Sequence, residues 1–148
     1  MAAKNEIYLP VPSGKVTTLT EGGVCLSVKN DSSIEIVKAK LDKGVFPQGD
    51  ACDYALFDEG EGKEGCLVEL KGSDEEKALK QLEHTYIKRL NEVPRLKAVS
   101  WKTGVVVVGG GNLQTAKWQK VLKKHRRTPL QFKQMGNNKT IAFSSLLL

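Results

Sequence analysis

Two short runs decide the fold: Asp53-Tyr54-Ala55-Leu56-Phe57 and Cys66-Leu67-Val68-Glu69-Leu70-Lys71. Each has the apolar, β-favouring composition of a strand, and the charged, glycine-rich stretch Glu59 to Gly65 between them reads as a loop. The second run carries a conflict. Residues two apart on a strand face the same side, so Glu69 and Lys71 stand together on an otherwise apolar strand. Burying such groups is costly unless they have partners or a task. Asp53 leads the first strand, and if the strands are neighbours its carboxylate and that of Glu69 converge on one hard cation. Magnesium needs only one or two carboxylates, since it keeps several waters. Lys71 then either assists the attacking water or offsets charge building on a phosphate. The plain alternative is an exposed ion pair on an edge strand. Asp50 is the rival to Asp53 as first ligand, but the apolar strand begins directly after Asp53.

Working outward, Gly72 ends the second strand. Ser73-Asp74-Glu75-Glu76 reads as a capping box opening a helix, with Ser73 as the cap and acids crowding the first turn. Leu79, Leu82, Tyr86, Leu90 and Val93 recur at helical spacing as a buried stripe, and Pro94 is expected to stop the helix. Val105 to Val108 is a continuous apolar strand of the kind found in a sheet covered on both faces. Gly109-Gly110-Gly111 follows, either as a tight turn or as a backbone contact to phosphate; its spacing fits neither common phosphate-loop pattern. Asn112 is placed to cap a second helix, with Trp118, Val121, Leu122 and His125 on one side and Lys117, Lys120, Lys124 and Arg127 on another. Strands around Leu130 to Gln134 and Thr140 to Phe143 close the chain, with Gly136-Asn137-Asn138 between them. Before Asp53, Val24 to Val28 and Ile34 to Val37 suggest a hairpin about Asn30-Asp31-Ser32-Ser33, although Ile34 to Leu41 also suits a helix. The fold class expected is α/β, one domain over residues 1–148 with a mixed central sheet flanked by helices.

Composition narrows the function. The 148 residues are 40% apolar and 27% charged, which excludes a disordered or collagen-like chain. No apolar run approaches the roughly 20 residues of a membrane helix, so no membrane partner is expected. The first residues lack a signal-peptide pattern. Three cysteines (Cys25, Cys52, Cys66) without a Cys-x-x-Cys read as reduced thiols, which points to a cytoplasmic protein. Charge is sharply divided. Residues 1–72 hold 8 lysines against 12 acids, whereas residues 73–148 hold 15 Lys and Arg against 5 acids. After Glu92 there is no acid, yet eleven basic residues remain. That division fits a polyanion partner; a solvated basic face or a surface for an acidic protein is the alternative.

The order Asp53-led strand, loop, Glu69-Leu70-Lys71 strand and following helix resembles the PD-(D/E)XK, or restriction-endonuclease-like, nuclease superfamily. The resemblance runs from about Gly22 to Arg127. It implies Asp53 and Glu69 as metal ligands, the Leu70 carbonyl as a further metal contact, and Lys71 as the catalytic lysine. Gln81 matches a glutamine that many members place in the next helix, where it would orient water or substrate. Members similar to RecB carry a tyrosine four residues later, where this chain has Thr85, with Tyr86 one step on. The family's proline is replaced here by Ala51-Cys52. An acid from the first helix of some members corresponds to Glu35 or Glu21. Glu-x-Lys also occurs at Glu61-Gly62-Lys63 and Glu75-Glu76-Lys77, but neither has the strand context.

The expectation is therefore a Mg²⁺-dependent endonuclease, with Mn²⁺ as a substitute metal, acting on phosphodiester bonds of DNA by structure and not by sequence. Lys117, Lys120, Lys123, Lys124, Arg126 and Arg127 would track the backbone without reading bases, extended by Lys97, Lys102, Lys133 and Lys139. Trp101 and Trp118 are either stacking platforms or core residues. His84 reads as structural and His125 as a phosphate contact. Leu146-Leu147-Leu148 is an exposed-looking end suited to the interface of a homodimer, the usual arrangement for a small nuclease cutting both strands. Two rivals stand beside this: a non-catalytic module of the same fold binding nucleic acid or protein, such as an inhibitor or immunity factor, and an RNA-directed nuclease.

Overall fold

Side-chain alternation along the strands sorts the apolar residues into two separate cores, one on each face of a central sheet. The computed structural model describes residues 7–60, 62–71, 74–109 and 115–148. In chain order the elements are β1 (Tyr8–Val11), β2 (Val16–Glu21), β3 (Val24–Lys29), β4 (Ile36–Lys40), β5 (Tyr54–Phe57), β6 (Glu64–Lys71), α1 (Glu75–His84), α2 (Pro94–Lys97), β7 (Ser100–Val108), α3 (Thr115–Leu122), β8 (Gln131–Gly136), β9 (Lys139–Ala142) and α4 (Phe143–Leu146). Six strands form a mixed sheet in the order β1-β4-β5-β6-β7-β8, and three form a smaller sheet, β2-β3-β9.

In the large sheet β6 is the pivot. It pairs antiparallel with β5 on one side and parallel with β7 on the other, and β8 continues the parallel half. Leu67, Val106 and Val108 point into a core roofed by Leu79 and Leu82 of α1 and by Trp118 and Val121 of α3. Cys66, Val68, Leu70, Val105 and Val107 point the other way, onto Leu19, Leu26 and Val28 of the small sheet. The result is three layers, helices, large sheet and small sheet. A strand covered on both faces must be apolar at every position, which accounts for Val105 to Val108. Ala55, Phe57 and Leu67 belong to the helix side, and by the same alternation so do Asp53, Glu69 and Lys71.

Several local expectations change. The segments Val24 to Val28 and Ile34 to Val37 do not form a hairpin. β3 pairs with β2 and β9, while β4 pairs with β1 and β5 in the other sheet, so neither is Ile34 to Leu41 helical. The cause is Asn30, which is buried: its amide donates to the Val11 and Ile34 carbonyls at 2.8 and 2.7 Å and accepts from the Ser32 N–H at 3.0 Å. These bonds turn the chain out of one sheet and into the other. The true hairpin is β2-β3, turned by Gly22 and Gly23, both at positive φ.

At α1 the cap is Asp74, whose side chain accepts from the Lys77 N–H at 3.0 Å. Ser73, like Gly110, Gly111 and Asn112, lies outside the described residues, and so do the readings attached to them. Pro94 does not simply end a helix. After α1 the chain winds through a π turn (Thr85–Arg89) and a 3₁₀ turn (Leu90–Glu92), and Pro94 then opens α2 as its first residue, where its missing N–H costs nothing. The last two strands also part company, β8 joining the large sheet and β9 the small one. Leu146 is fully buried in the second core and only Leu148 is widely exposed, which removes most of the apolar end expected at a dimer interface. No helix among the described residues is long and apolar enough to cross a membrane.

Candidate two-carboxylate site

Asp53 and Glu69 meet. The antiparallel register of β5 on β6 sets Tyr54 opposite Val68, and one step further brings the two acids together at the strand ends. The Asp53 N–H donates to Glu69 Oε1 at 3.1 Å, and the Leu70 N–H donates to Asp53 Oδ2 at 2.8 Å. Both residues are buried, Asp53 at 5% and Glu69 at 8% exposure. Burial, reinforced by the Asp53 charge and a hydrogen bond between the two carboxyl groups, pushes the Glu69 pKa up to about 8. Burial also raises Asp53, against the pull of the Leu70 N–H and the Lys40 charge. Two carboxyls in contact with little water cannot both ionise cheaply, so without a cation they hold one proton between them at neutral pH.

Lys71 is half-buried, and its ammonium charge lowers the Glu69 pKa, as expected for neighbours on one strand face. Two further groups approach from the opposite side of the sheet end. Lys40 lies 2.8 Å from Glu21 Oε2 and 4.7 Å above the Tyr54 ring. Burial works against its charge, but its hydrogen bond to Glu21 and the nearby Glu21 and Asp53 charges leave its pKa raised. Glu21 raises the Asp53 pKa in turn. Of the two acids considered for a third position, Glu21 is therefore the one within electrostatic reach. It comes from the end of a strand of the small sheet and not from a helix. Glu35 is exposed elsewhere, beside Arg95 and Tyr8 in the wall of another cavity.

Asp50, the rival first ligand, stands apart from the acid pair. It is exposed, has φ of 65°, and its Oδ2 faces His84 Nε2 at 3.1 Å. The loop it belongs to is fastened to the helix instead by Thr85, whose hydroxyl accepts from the Cys52 N–H at 2.8 Å and donates to the Gln81 carbonyl at 2.7 Å. Gln81 is half-buried one helical turn before Thr85, so it shares the face that meets the Asp53 loop. Threonine at position 85 is thus a tether for the residue before Asp53. Nothing in the sequence around it marked that role. Burial raises the Cys52 thiol well above its usual range and the Cys66 thiol to about 12, so neither is a nucleophile at neutral pH.

The basic residues separate into groups. Lys117 and Lys120 of α3, with Lys123, Lys124, Arg126 and Arg127 beyond it, are all exposed. Lys133 is not part of that surface, since its Nζ donates to the Ser145 carbonyl at 2.8 Å, and Lys102 stands 3.6 Å from Glu64. Trp118 is buried, and Trp101 is buried with its indole N–H bound to the Leu96 carbonyl at 2.9 Å, so both serve packing and neither is a stacking platform. His125 does not stand on that surface either. It is 7% exposed with Nδ1 2.6 Å from Glu83 Oε1. Glu83 had a legible signal: it sits one position after Leu82, inside the apolar stripe of α1.

No family model matches the chain, and no curated protein and no solved structure matches it. Among the described residues no three His, Cys, Asp or Glu side chains cluster as a metal-ligand set. The site is a two-carboxylate one, and its donors suit a hard divalent cation that retains waters. The buried acid pair with an elevated pKa fits such an ion, which would allow both carboxylates to ionise.

Proposed function

We propose that this protein is a divalent-metal-dependent nuclease of the PD-(D/E)XK type, hydrolysing phosphodiester bonds with Mg²⁺, or Mn²⁺ in its place, and acting on DNA by shape. One observation carries the reading: two buried carboxyls from adjoining strands in mutual contact, with the Lys71 ammonium alongside. Asp53, Glu69 and the Leu70 carbonyl would hold a divalent cation, which would supply Lewis-acid polarisation and a stronger nucleophile at neutral pH. Every other contribution comes from the chain. Asp53 and Glu69 would serve the cation as ionised carboxylates. Lys71 places a positive charge where negative charge grows on the phosphate. Gln81, held beside the Asp53 loop through Thr85, orients water or substrate. The exposed lysines and arginines from Lys117 to Arg127 hold the sugar-phosphate backbone, and their contribution weakens as salt rises.

Nicking of supercoiled plasmid and cleavage of branched DNA with Mg²⁺ test this directly, with Lys71→Ala alongside. The variant is expected to lose about 100-fold or more in rate. Equal activity in the two proteins removes the assignment. A second reading has its own support. Asp53 and Glu69 each accept a backbone hydrogen bond from the other's strand, as a purely structural latch would. A non-catalytic binding module built on that latch would bind its partner with an affinity indifferent to Mg²⁺ and to Asp53→Ala.

A further inference from the structure

On the flank of α1 facing away from Thr85 lies a cavity of about 310 Å³ walled by Lys80, Lys88, Lys124, Arg127, Glu83 and His125. Its charge is unbalanced in a specific way. Glu83 is the only acid in the wall, and both of its oxygens are engaged: Oε1 with His125 Nδ1 at 2.6 Å and Oε2 with the Arg127 N–H at 3.2 Å. Four cationic side chains therefore share the space with no free carboxylate among the lining residues. His125 forms part of the wall with its side chain 6% exposed. Its second nitrogen, Nε2, is buried and has no hydrogen-bond partner among the described residues, the Glu76 Oε1 atom standing 3.9 Å off. A concave site lined by four cationic side chains suits a compact multivalent anion.

We propose that this cavity binds a terminal phosphate of a nucleic-acid strand. A phosphomonoester carries about −1.5 to −2 charge at neutral pH and three acceptor oxygens, whereas an internal diester carries a single charge. The surplus of cations in one small space favours the former. His84, on its rim, contacts Asp50, three residues before Asp53 in the chain. The choice of a nucleic-acid end rests on the nuclease reading; the phosphate chemistry does not. An end anchored here would place the chain on strand termini, gaps or nicks in preference to uninterrupted duplex.

The test is made in EDTA, so that cleavage plays no part. The chain has only two histidines, His84 and His125, and both line the cavity, so their ring resonances report on it. Inorganic phosphate is expected to shift both saturably against a chloride control of equal ionic strength, and Lys80→Ala/Lys88→Ala to abolish the saturation. Oligonucleotides of one sequence, ending in 5′-phosphate, 3′-phosphate or hydroxyl only, then identify the end. One phosphorylated form is expected to bind roughly tenfold tighter than the hydroxyl form, with the ratio falling to about one in the double variant. Absence of saturable shifts, equal affinity for all three ends, or a preference that survives the double variant overturns the proposal. Loss of Mg²⁺-dependent cleavage alone bears on the nuclease reading and leaves this one standing.

Discussion

Two buried acidic residues, Glu69 and Glu83, lie a short way apart in the chain and have opposite surroundings. Glu83 meets a histidine and a backbone N–H, both hydrogen-bond donors to a carboxylate. Glu69 meets a backbone N–H, a lysine and another carboxyl, and its pKa rises to about 8. A carboxylate supplied with donors holds elements together, here α1 and the segment after α3. A carboxylate facing its own kind is an unfinished site, because some third party, a proton or a cation, has to sit between. Burial alone would have made the two residues look equivalent.

The strongest way to break this comparison is Glu83→Ala. It leaves His125 buried without its partner and frees the Arg127 N–H, and is expected to cost about 3 kcal/mol in urea unfolding. A loss below about 1 kcal/mol would mean that Glu83 is not holding α1 and the segment after α3 together.

Glu69→Gln is expected to act with the opposite sign. The folded pKa of Glu69, about 8, lies above its ordinary value of 4.5, so the folded chain binds that proton more tightly than the unfolded one. The stability it contributes is fully present below pH 4.5 and is lost as pH rises through about 8. Metal-free protein should therefore lose stability across that window relative to Glu69→Gln. Added Mg²⁺ should restore the loss in the unaltered chain only. Parallel stability–pH curves for the two proteins would show that the acid pair is not strained.

The smallest effect sharpens the contrast at the surface. Asp50→Asn removes one end of an exposed His84 contact and is expected to change stability by less than about 0.5 kcal/mol. Cleavage should persist. Abolished cleavage would return Asp50 to the site and displace Asp53.

The acid pair was legible because it depends on short-range rules. A strand's side-chain period is fixed by backbone geometry, so Glu69 and Lys71 had to share a face wherever the strand went. An apolar run starting at Tyr54 placed Asp53 at a strand end. The double-sided burial of Val105 to Val108 followed from composition alone. The β3–β4 hairpin failed for a different reason. Asn30-Asp31-Ser32-Ser33 has turn chemistry in either setting, and what decides the outcome is where the Asn30 amide finds carbonyls, one of them on Val11. Thr85, Lys40 and the pairing of Glu83 with His125 were hidden likewise, since each acquires its meaning from a residue far off in the chain, although the place of Glu83 inside the apolar stripe was itself legible.

By itself, then, the sequence determined which residues alternate, where charge interrupts an apolar face, and that the cationic half of the chain stands apart from the acidic half. Tertiary structure alone decided which strands are neighbours, that Glu21 of the small sheet and Lys40 approach the acids from the other face of the large sheet, and that His125 turns inward. The physical reason is that local geometry fixes the direction of a side chain, whereas its partners depend on the packing of layers brought together by the burial of two separate apolar cores.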